Sequence, residues 1–296
     1  MKSGFVSILG RPNVGKSTIL NAIINRKVSI VTDKSQTTRN QIRGIYQGED
    51  SQIIFIDTPG IHKPHAKLGE EMNIMAYSAA HDADVNILVV DASRPFGEGD
   101  TFLLEHLDIK NVPLIIVFNK IDQVRITEVL KLKEQYLALL PKAIIIETVA
   151  TDKFNLDLLI KTVVDSLPEG PLYYPVDVVS DKDEIFQIKE IIREKVLKIL
   201  REEVPHAIAI YVRGFEDEKD EAHIVADIIV EKDSQKGIVI GSNGKRIKEI
   251  GQKARISIEK LLKKHVFLEL FVKVETDWRN NEKMLEKYGY KAKKNK

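Results

Sequence analysis

The sequence predicts an α/β domain, a mostly parallel sheet with helices on both faces, followed by a smaller α+β module. Three observations carry that expectation. Through residues 1–170, short continuous apolar runs alternate with amphipathic stretches, the pattern of parallel strands covered by helices. The segment Pro168 to Pro175, PEGPLYYP, then breaks the pattern with Pro and Gly. Beyond it the order of elements becomes α-β-β-α-α-β. A chain of 296 residues also exceeds the ~250 at which single cores stop growing.

Taken in order, the strand-like runs are Phe5–Leu9, Ile53–Asp57, Val85–Asp91, Pro113–Asn119 and Ala143–Glu147. They are continuous rather than alternating, as expected where both faces are buried. Arg43–Gln47 sits just before the second run and predicts an antiparallel edge hairpin. Helices are expected over Glu70–Asp82, Glu98–Ile109 and Thr127–Leu139. The chain divides into a first domain, 1–170, a linker, 171–182, and a second domain, 183–296. The second domain opens with a helix from Glu184 to about Glu203, with Ile185, Ile188, Ile192, Val196 and Ile199 on one stripe. Two strands follow, Ala207–Phe215 and His223–Glu231. A short helix near Gln235, the loop Gly241–Gly244, a long helix to about Lys264 and a strand over Val266–Thr276 complete it. Only Lys291 to Lys296, KAKKNK, reads as disordered.

Composition narrows the class. Apolar residues make up 43% and charged residues 30%, with 45 Lys+Arg against 44 Asp+Glu, which excludes a globally disordered chain. The lack of cysteine excludes a disulfide framework, thiolate zinc and thiol catalysis, and it fits a reducing cytosol. The N-terminus breaks into Gly and Pro too early for a signal peptide. No apolar run approaches the ~18 residues of a spanning helix. A cytoplasmic protein is expected. The near-zero net charge conceals a segregation: Gly214–Asp233 carries a net −6 and Lys236–Lys264 a net +7. The basic stripe is an electrostatic footprint for a polyanion, although a solvated helix face would look the same without a second signal.

Four motifs carry chemistry. Gly10-Arg11-Pro12-Asn13-Val14-Gly15-Lys16-Ser17-Thr18 fits G-x-x-x-x-G-K-[ST] between a strand and a helix, the context of a phosphate-binding loop. Its glycines let backbone N–H groups point at phosphate oxygens, Lys16 reaches the β/γ-phosphates and Ser17 suits Mg²⁺. Asp57-Thr58-Pro59-Gly60 ends a buried strand, where the carboxylate can hold Mg²⁺ through water and the Gly60 N–H can approach a γ-phosphate. Asn119-Lys120-Ile121-Asp122 ends another strand. Asp122 can accept from the N1–H and N2–H₂ edge of guanine, which adenine lacks, so the motif assigns GTP. The fourth is Gly241-Ser242-Asn243-Gly244 followed by Lys245-Arg246, a G-x-x-G loop inside the basic stripe. Such a loop clamps the backbone of about four single-stranded nucleotides in KH modules.

These residues resemble the translation-factor-related GTPases and, among them, the Era family, over nearly the whole chain: a P-loop GTPase domain followed by a type II KH domain. The resemblance makes Gln36-Thr37-Thr38-Arg39-Asn40 the first switch and Asp57–Gly60 with Ile61 the second. Thr38 is favoured over Thr37 as the Mg²⁺ ligand beside Ser17 and Asp57. Thr148-Val149-Ala150 is the further guanine loop, where Val149-Ala150 replaces the family's usual Ser-Ala; the Ser hydroxyl is missing, and the Ala150 N–H can still reach the base. Ile61 replaces the water-orienting Gln of many GTPases, so hydrolysis is expected to be slow, near or below ~10⁻⁴ to 10⁻² s⁻¹ without an activator. Asn13 in the loop implies a potassium ion as additional positive charge, with the alternative that Asn13 only shapes the turn after Pro12. The resemblance further implies a monomer that binds GTP and GDP, the 3′ end of small-subunit ribosomal RNA and the small ribosomal subunit, with peripheral contact to the cytoplasmic membrane face.

Two rivals come from other classes: a metabolic P-loop enzyme such as a kinase, and a GTP-dependent adaptor whose KH-like module binds protein or membrane. His62 and His65 read as solvated loop residues rather than metal ligands. Trp278 reads as core or boundary packing rather than a base-stacking ring, and Lys291–Lys296 as a solvated tail.

Overall fold

The computed structural model describes residues 1–107, 112–200 and 204–292. Its first sheet holds six strands: β1 (Lys2–Gly10), β2 (Ile42–Gln47), β3 (Ser51–Asp57), β4 (Val85–Asp91), β5 (Leu114–Asn119) and β6 (Ile144–Thr148). Their order is β2-β3-β1-β4-β5-β6, and every pair is parallel except the β2–β3 hairpin. The covering helices are α1 (Lys16–Ile24), α2 (Lys67–Asp82), α3 (Glu98–His106), α4 (Ile126–Leu139) and α5 (Leu156–Ser166). One core, with Val6, Ile8, Phe55 and Leu159, lies on one side of the sheet, and another, with Leu9, Leu88, Phe118 and Tyr136, on the other.

Register places the functional loops. Ile8 pairs with Asp57, Gly10 with Val89, and Asn119 with both Asp91 and Thr148. The loops after β1, β3, β4, β5 and β6 therefore all leave the sheet at its carboxyl edge, where open α/β sheets bind ligands. Residues 168–180 do not float free. Ser3 N–H donates to Pro168 O, Gln52 Oε1 accepts from the N–H groups of Tyr173 and Tyr174, and Ile45 N–H donates to Val179 O. Val179 and Ser180, just past the Pro/Gly segment, thus cover part of the open edge of β2 at Gly44 and Ile45, one way to protect unpaired strand groups.

The second sheet is β7 (Ala209–Asp217), β8 (Glu221–Val230) and β9 (His265–Val274), antiparallel between the first two and parallel between the last. With α6 (Glu184–Ile199), α7 (Asp233–Ile240) and α8 (Lys245–Leu262) it gives the order α-β-β-α-α-β, the KH type II arrangement expected from sequence. Ile188, Ile192 and Val196 of α6 meet Ile250, Ala254 and Ile258 of α8 in its core.

Several expectations need adjustment. α2 begins three residues earlier, at Lys67. α3 stops at His106, and the remainder of its expected span, from 108, lies outside the described residues. α6 ends at Ile199 because Leu200 turns extended, and residues 201–203 lie outside the described set. Ile185 is 43% exposed, so the apolar stripe starts at Ile188. The same helix also buries Glu190, Arg193 and Glu194, because another of its faces meets the first domain. A further helix, α9 (Glu282–Tyr288), was not expected. It is two turns long, too short for periodicity to mark, but Asn281 caps it by accepting from Lys283 N and Met284 N, and Gly289 ends it at φ 79°. Trp278 is fully buried beside it and donates to Ala207 O, which makes it the packing residue expected. Of the tail, residues 293–296 lie outside the described set.

Candidate functional site

The phosphate loop joins β1 to α1 through three residues of positive φ: Gly10 (146°), Asn13 (64°) and Gly15 (105°). Glycine is required twice, since a Cβ on Gly10 would stand 2.4 Å from Val89 O and one on Gly15 2.2 Å from Asn119 Nδ2. No side chain caps the N-terminus of α1, so its orphan N–H groups remain available to an anion. Lys16 is buried, with Nζ donating to Gly10 O at 3.1 Å and Arg11 O at 2.8 Å. Burial lowers its pKa to about 8, against the pull of Asp57. Arg11 turns away to an ion pair with Asp100, and Asn13 donates from Nδ2 to Asp33 O.

Asp57 is the polar centre. Its Oδ2 accepts from Ser17 Oγ at 2.6 Å, Ser29 Oγ at 2.8 Å and Thr38 Oγ1 at 3.4 Å, and Ser17 and Thr38 stand 2.9 Å apart. Its Oδ1 is buried with no partner. Burial raises its pKa, opposed by Ser17 and Lys16. A desolvated carboxylate with one orphan oxygen among hydroxyls is the donor set of a hard divalent cation, and Mg²⁺ fits it. Ser17, Thr38 and Asp57 would hold the ion, which would draw charge off bound phosphates. The geometry brings Thr38 to this point and not Thr37, whose hydroxyl bonds Thr32 Oγ1 and Lys34 O. Among the described residues no cluster of three His, Cys, Asp or Glu could hold a metal.

Asn119 and Lys120 act as ties. Asn119 Nδ2 donates to Val14 O, while its Oδ1 accepts from Ala150 N–H at 3.0 Å and Thr148 Oγ1 at 3.3 Å. Lys120 Nζ bridges Asn13 O at 2.9 Å and Asp91 Oδ2 at 2.7 Å. Sequence reading missed Asp91. Burial works against its charge, yet hydrogen bonds from Lys120 and Ser93 hold its carboxyl below the usual range. Ile121 and Asp122 stand in a 3₁₀ turn, with Asp122 exposed. A cavity of about 400 Å³ opens between these pieces, lined by Asn13, Lys16, Ser17, Thr38, Gly60 and Lys120 among others.

In the second switch, Thr58 Oγ1 donates to Ile8 O, and a Cβ on Gly60 would meet Pro12 at 2.7 Å. Pro59 is buried. Ile61 is fully buried in the core with Leu88 and Phe118, and its N–H donates to Gly10 O. His62 is not the solvated residue expected. It is half-buried, bonded to Gly60 O and Gln36 Nε2, and clamped by Asn73 through its backbone. His65 is exposed.

The first switch is fastened to the second domain. Arg193 of α6 donates to Thr37 O while its guanidinium pairs with Glu190. Arg39 donates to Ile208 O at 2.5 Å and lies over the Tyr290 ring. Burial chiefly lowers the Arg39 pKa to about 10. Asn40 Nδ2 donates to Gly289 O at 2.6 Å. Leu68 and Met72 of α2 share a core with Trp278, Leu285 and Tyr288.

The second glycine loop links α7 to α8 by a 3₁₀ turn, with Gly241 (72°), Asn243 (52°) and Gly244 (71°) at positive φ. Ser242, Asn243 and Lys245 are exposed, and Arg246 folds back to donate to Ile238 O. Beside it an open groove of about 620 Å³ runs between α8 and β9, the free edge of its sheet. Ile247, Val266 and Leu268 supply apolar lining, and Lys248 and Arg255 are basic. The acidic stretch is partly internal: Asp227 is buried between Arg213 and Lys273, and Glu231 pairs with Arg279.

A GTP-type phosphate loop with its switches, joined to a KH module, defines a GTPase with an appended nucleic-acid-binding fold. Residues 5–120 match the family described as 50S ribosome-binding GTPase, and residues 203–279 match the KH domain family. One solved structure, Era in complex with Mg-GDPNP and nucleotides 1506–1542 of 16S ribosomal RNA, is 38% identical, with 99% of this chain and 100% of that chain covered and a TM-score of 0.94. An alanine variant of Aquifex aeolicus Era bound to GDP and aluminium fluoride is also 38% identical, with the same coverage and a TM-score of 0.93. The chain belongs to the Era family of GTPases.

Proposed function

We propose that this protein is a GTP-hydrolysing switch that binds the 3′ end of small-subunit ribosomal RNA and assists assembly of the small ribosomal subunit. The supporting observation is that one chain holds both the Lys16–Asp57–Lys120 cavity and the Gly241–Gly244 loop with its groove, and that its first switch is bonded to the RNA-side domain. In this reading residues 10–18 and Gly60 cradle the phosphates. Ser17, Thr38 and Asp57 hold Mg²⁺. Asp122 and Ala150 read guanine, and residues 241–246 clamp RNA phosphates while the groove receives bases. Residues 1–170, 171–182 and 183–296 serve as the nucleotide domain, linker and RNA domain. Hydrolysis is slow because an aliphatic, buried Ile61 cannot orient water. A potassium ion beside Asn13 belongs to the same reading, and a faster turnover in K⁺ than in Na⁺ tests it. The protein acts as a cytoplasmic monomer on the small subunit. Peripheral membrane contact rests on the resemblance alone, and no helix among the described residues is long and apolar enough to cross a membrane.

Filter binding of single-stranded RNA across a salt series tests the function, because phosphate contacts make affinity fall steeply with salt. Crosslinking in cell extract identifies the RNA. Recovery of small-subunit ribosomal RNA supports the proposal. Recovery of none, with a protein bound to the KH module instead, favours the adaptor.

A further inference from the structure

Three hydroxyls grip the Asp57 carboxylate, and they differ in what a divalent cation would do to them. Ser17 and Thr38 line the nucleotide cavity and are the two that the proposed function gives to Mg²⁺. A hydroxyl whose oxygen ligates a metal is no longer free to serve Asp57 alone. Ser29 is placed differently. It is 1% exposed, lies outside that lining, and donates from Oγ to Asp57 Oδ2 at 2.8 Å.

The turn that carries Ser29 is locked from within. Asn21 of α1 accepts at Oδ1 from Val28 N–H (2.8 Å) and Ser29 N–H (2.9 Å), and its Nδ2 donates to Ser29 O at 2.7 Å. The residues on either side are fastened to the second domain: Lys27 Nζ donates to Glu194 at 2.6 and 2.7 Å, and Ile30 packs in the core around Ile188 and Ile192. The turn has little freedom to drift.

We propose that Ser29 is a positioning residue for the metal site, holding the Asp57 carboxylate against the Ser17 and Thr38 hydroxyls that the cation would take. This rests on the Mg²⁺–nucleotide reading above. Groups that orient a metal ligand from behind typically change metal affinity 10- to 100-fold when removed. Losing the Ser29 donor leaves Oδ2 held only by Ser17 and Thr38, the two hydroxyls given to the cation, and loosens the carboxylate's orientation.

The test uses the full chain with Ser29→Ala and a fluorescent GDP, whose release is followed against free Mg²⁺ and in excess EDTA. The expected result is a Mg²⁺ midpoint raised about tenfold or more, with the affinity in EDTA unchanged. An equal loss in Mg²⁺ and in EDTA would show a merely structural residue, and an unmoved midpoint would show no role; either overturns the inference. If Ser29→Ala does not fold, Ser29→Cys keeps the volume while giving up the strong donor, and the same midpoint shift is expected. Should the parent itself bind nucleotide equally with and without Mg²⁺, the underlying metal reading is what fails.

Discussion

The two glycine loops of this chain use the same elements to opposite ends. Both turn through residues of positive φ and hand the backbone to a helix N-terminus without a side-chain cap. The first is enclosed: Asn119, Lys120 and Gly60 close on it, and its lysine is buried with its pKa lowered to about 8. The second stands open, with Ser242, Asn243 and Lys245 exposed beside a groove on a free strand edge. A closed cradle desolvates a compact ligand and gains from each charge-assisted bond. An open loop can pass a polymer through but works in water, where salt screens it. Enclosure, rather than the glycine pattern, separates the two loops, and on it rests the proposal that the first takes a nucleotide and the second RNA.

The largest expected effect is in the closed site. Asp122→Asn should exchange guanine for xanthine preference by up to about 10⁴-fold, the range in which unpaired hydrogen-bonding groups discriminate, read by competition between GTP and xanthosine triphosphate. An unchanged preference removes the guanine assignment. Next comes Lys16→Ala, expected to cost about 3 kcal/mol of nucleotide affinity, one or two charged hydrogen bonds, with RNA binding by the nucleotide-free protein retained. In the open loop, Ser242→Asp with Asn243→Asp should abolish RNA binding in a filter assay while GTP affinity stays within about twofold, since distant sites behave independently to ~0.5 kcal/mol. Loss of both would mean that the loops are not separate devices.

The smallest effect is a pH response of the enclosed loop. Burial places the free-form Lys16 pKa at about 8, and bound phosphate raises it. Binding then favours the protonated amine, so GTP affinity should be highest below about pH 8 and fall as pH rises above it, by at most about tenfold per unit. A flat profile from pH 7.5 to 9.5 would place the Lys16 pKa elsewhere.

How much of this was legible in the sequence follows from how local each signal is. Gly10–Thr18, Asp57–Gly60 and Asn119–Asp122 sit at strand ends with their own spacing, so the cavity could be read before its geometry was known. The preference for Thr38 over Thr37 comes from the family resemblance, and the hydroxyl network around Asp57 places Thr38, not Thr37, beside Ser17. Asp91, Ser29 and Asn21 carry no motif; their roles arise from strand register and from a turn folded back on α1. His62 was misread because its partners Gln36 and Asn73 are far from it in sequence. The fastening of the first switch to the second domain joins residues more than a hundred positions apart, Arg39 to Ile208 and Thr37 to Arg193. Arg193 lies off the apolar stripe of α6, where a charged residue reads as solvated, and its full burial shows only in the structure.

Those contacts tie the two loops together. A γ-phosphate that orders Thr38 must move or tighten residues 37–40, which α6, Ile208 and Gly289 already hold, so occupancy of the closed loop should be felt by the open one. The direct measurement is RNA affinity in excess non-hydrolysable GTP analogue and in excess GDP, at fixed salt and Mg²⁺. The expected difference is roughly 5- to 150-fold, matched by an equal effect of RNA on the preference for GTP over GDP. Equal RNA affinities in the two nucleotide states would contradict it, leaving two independent binding modules on one chain.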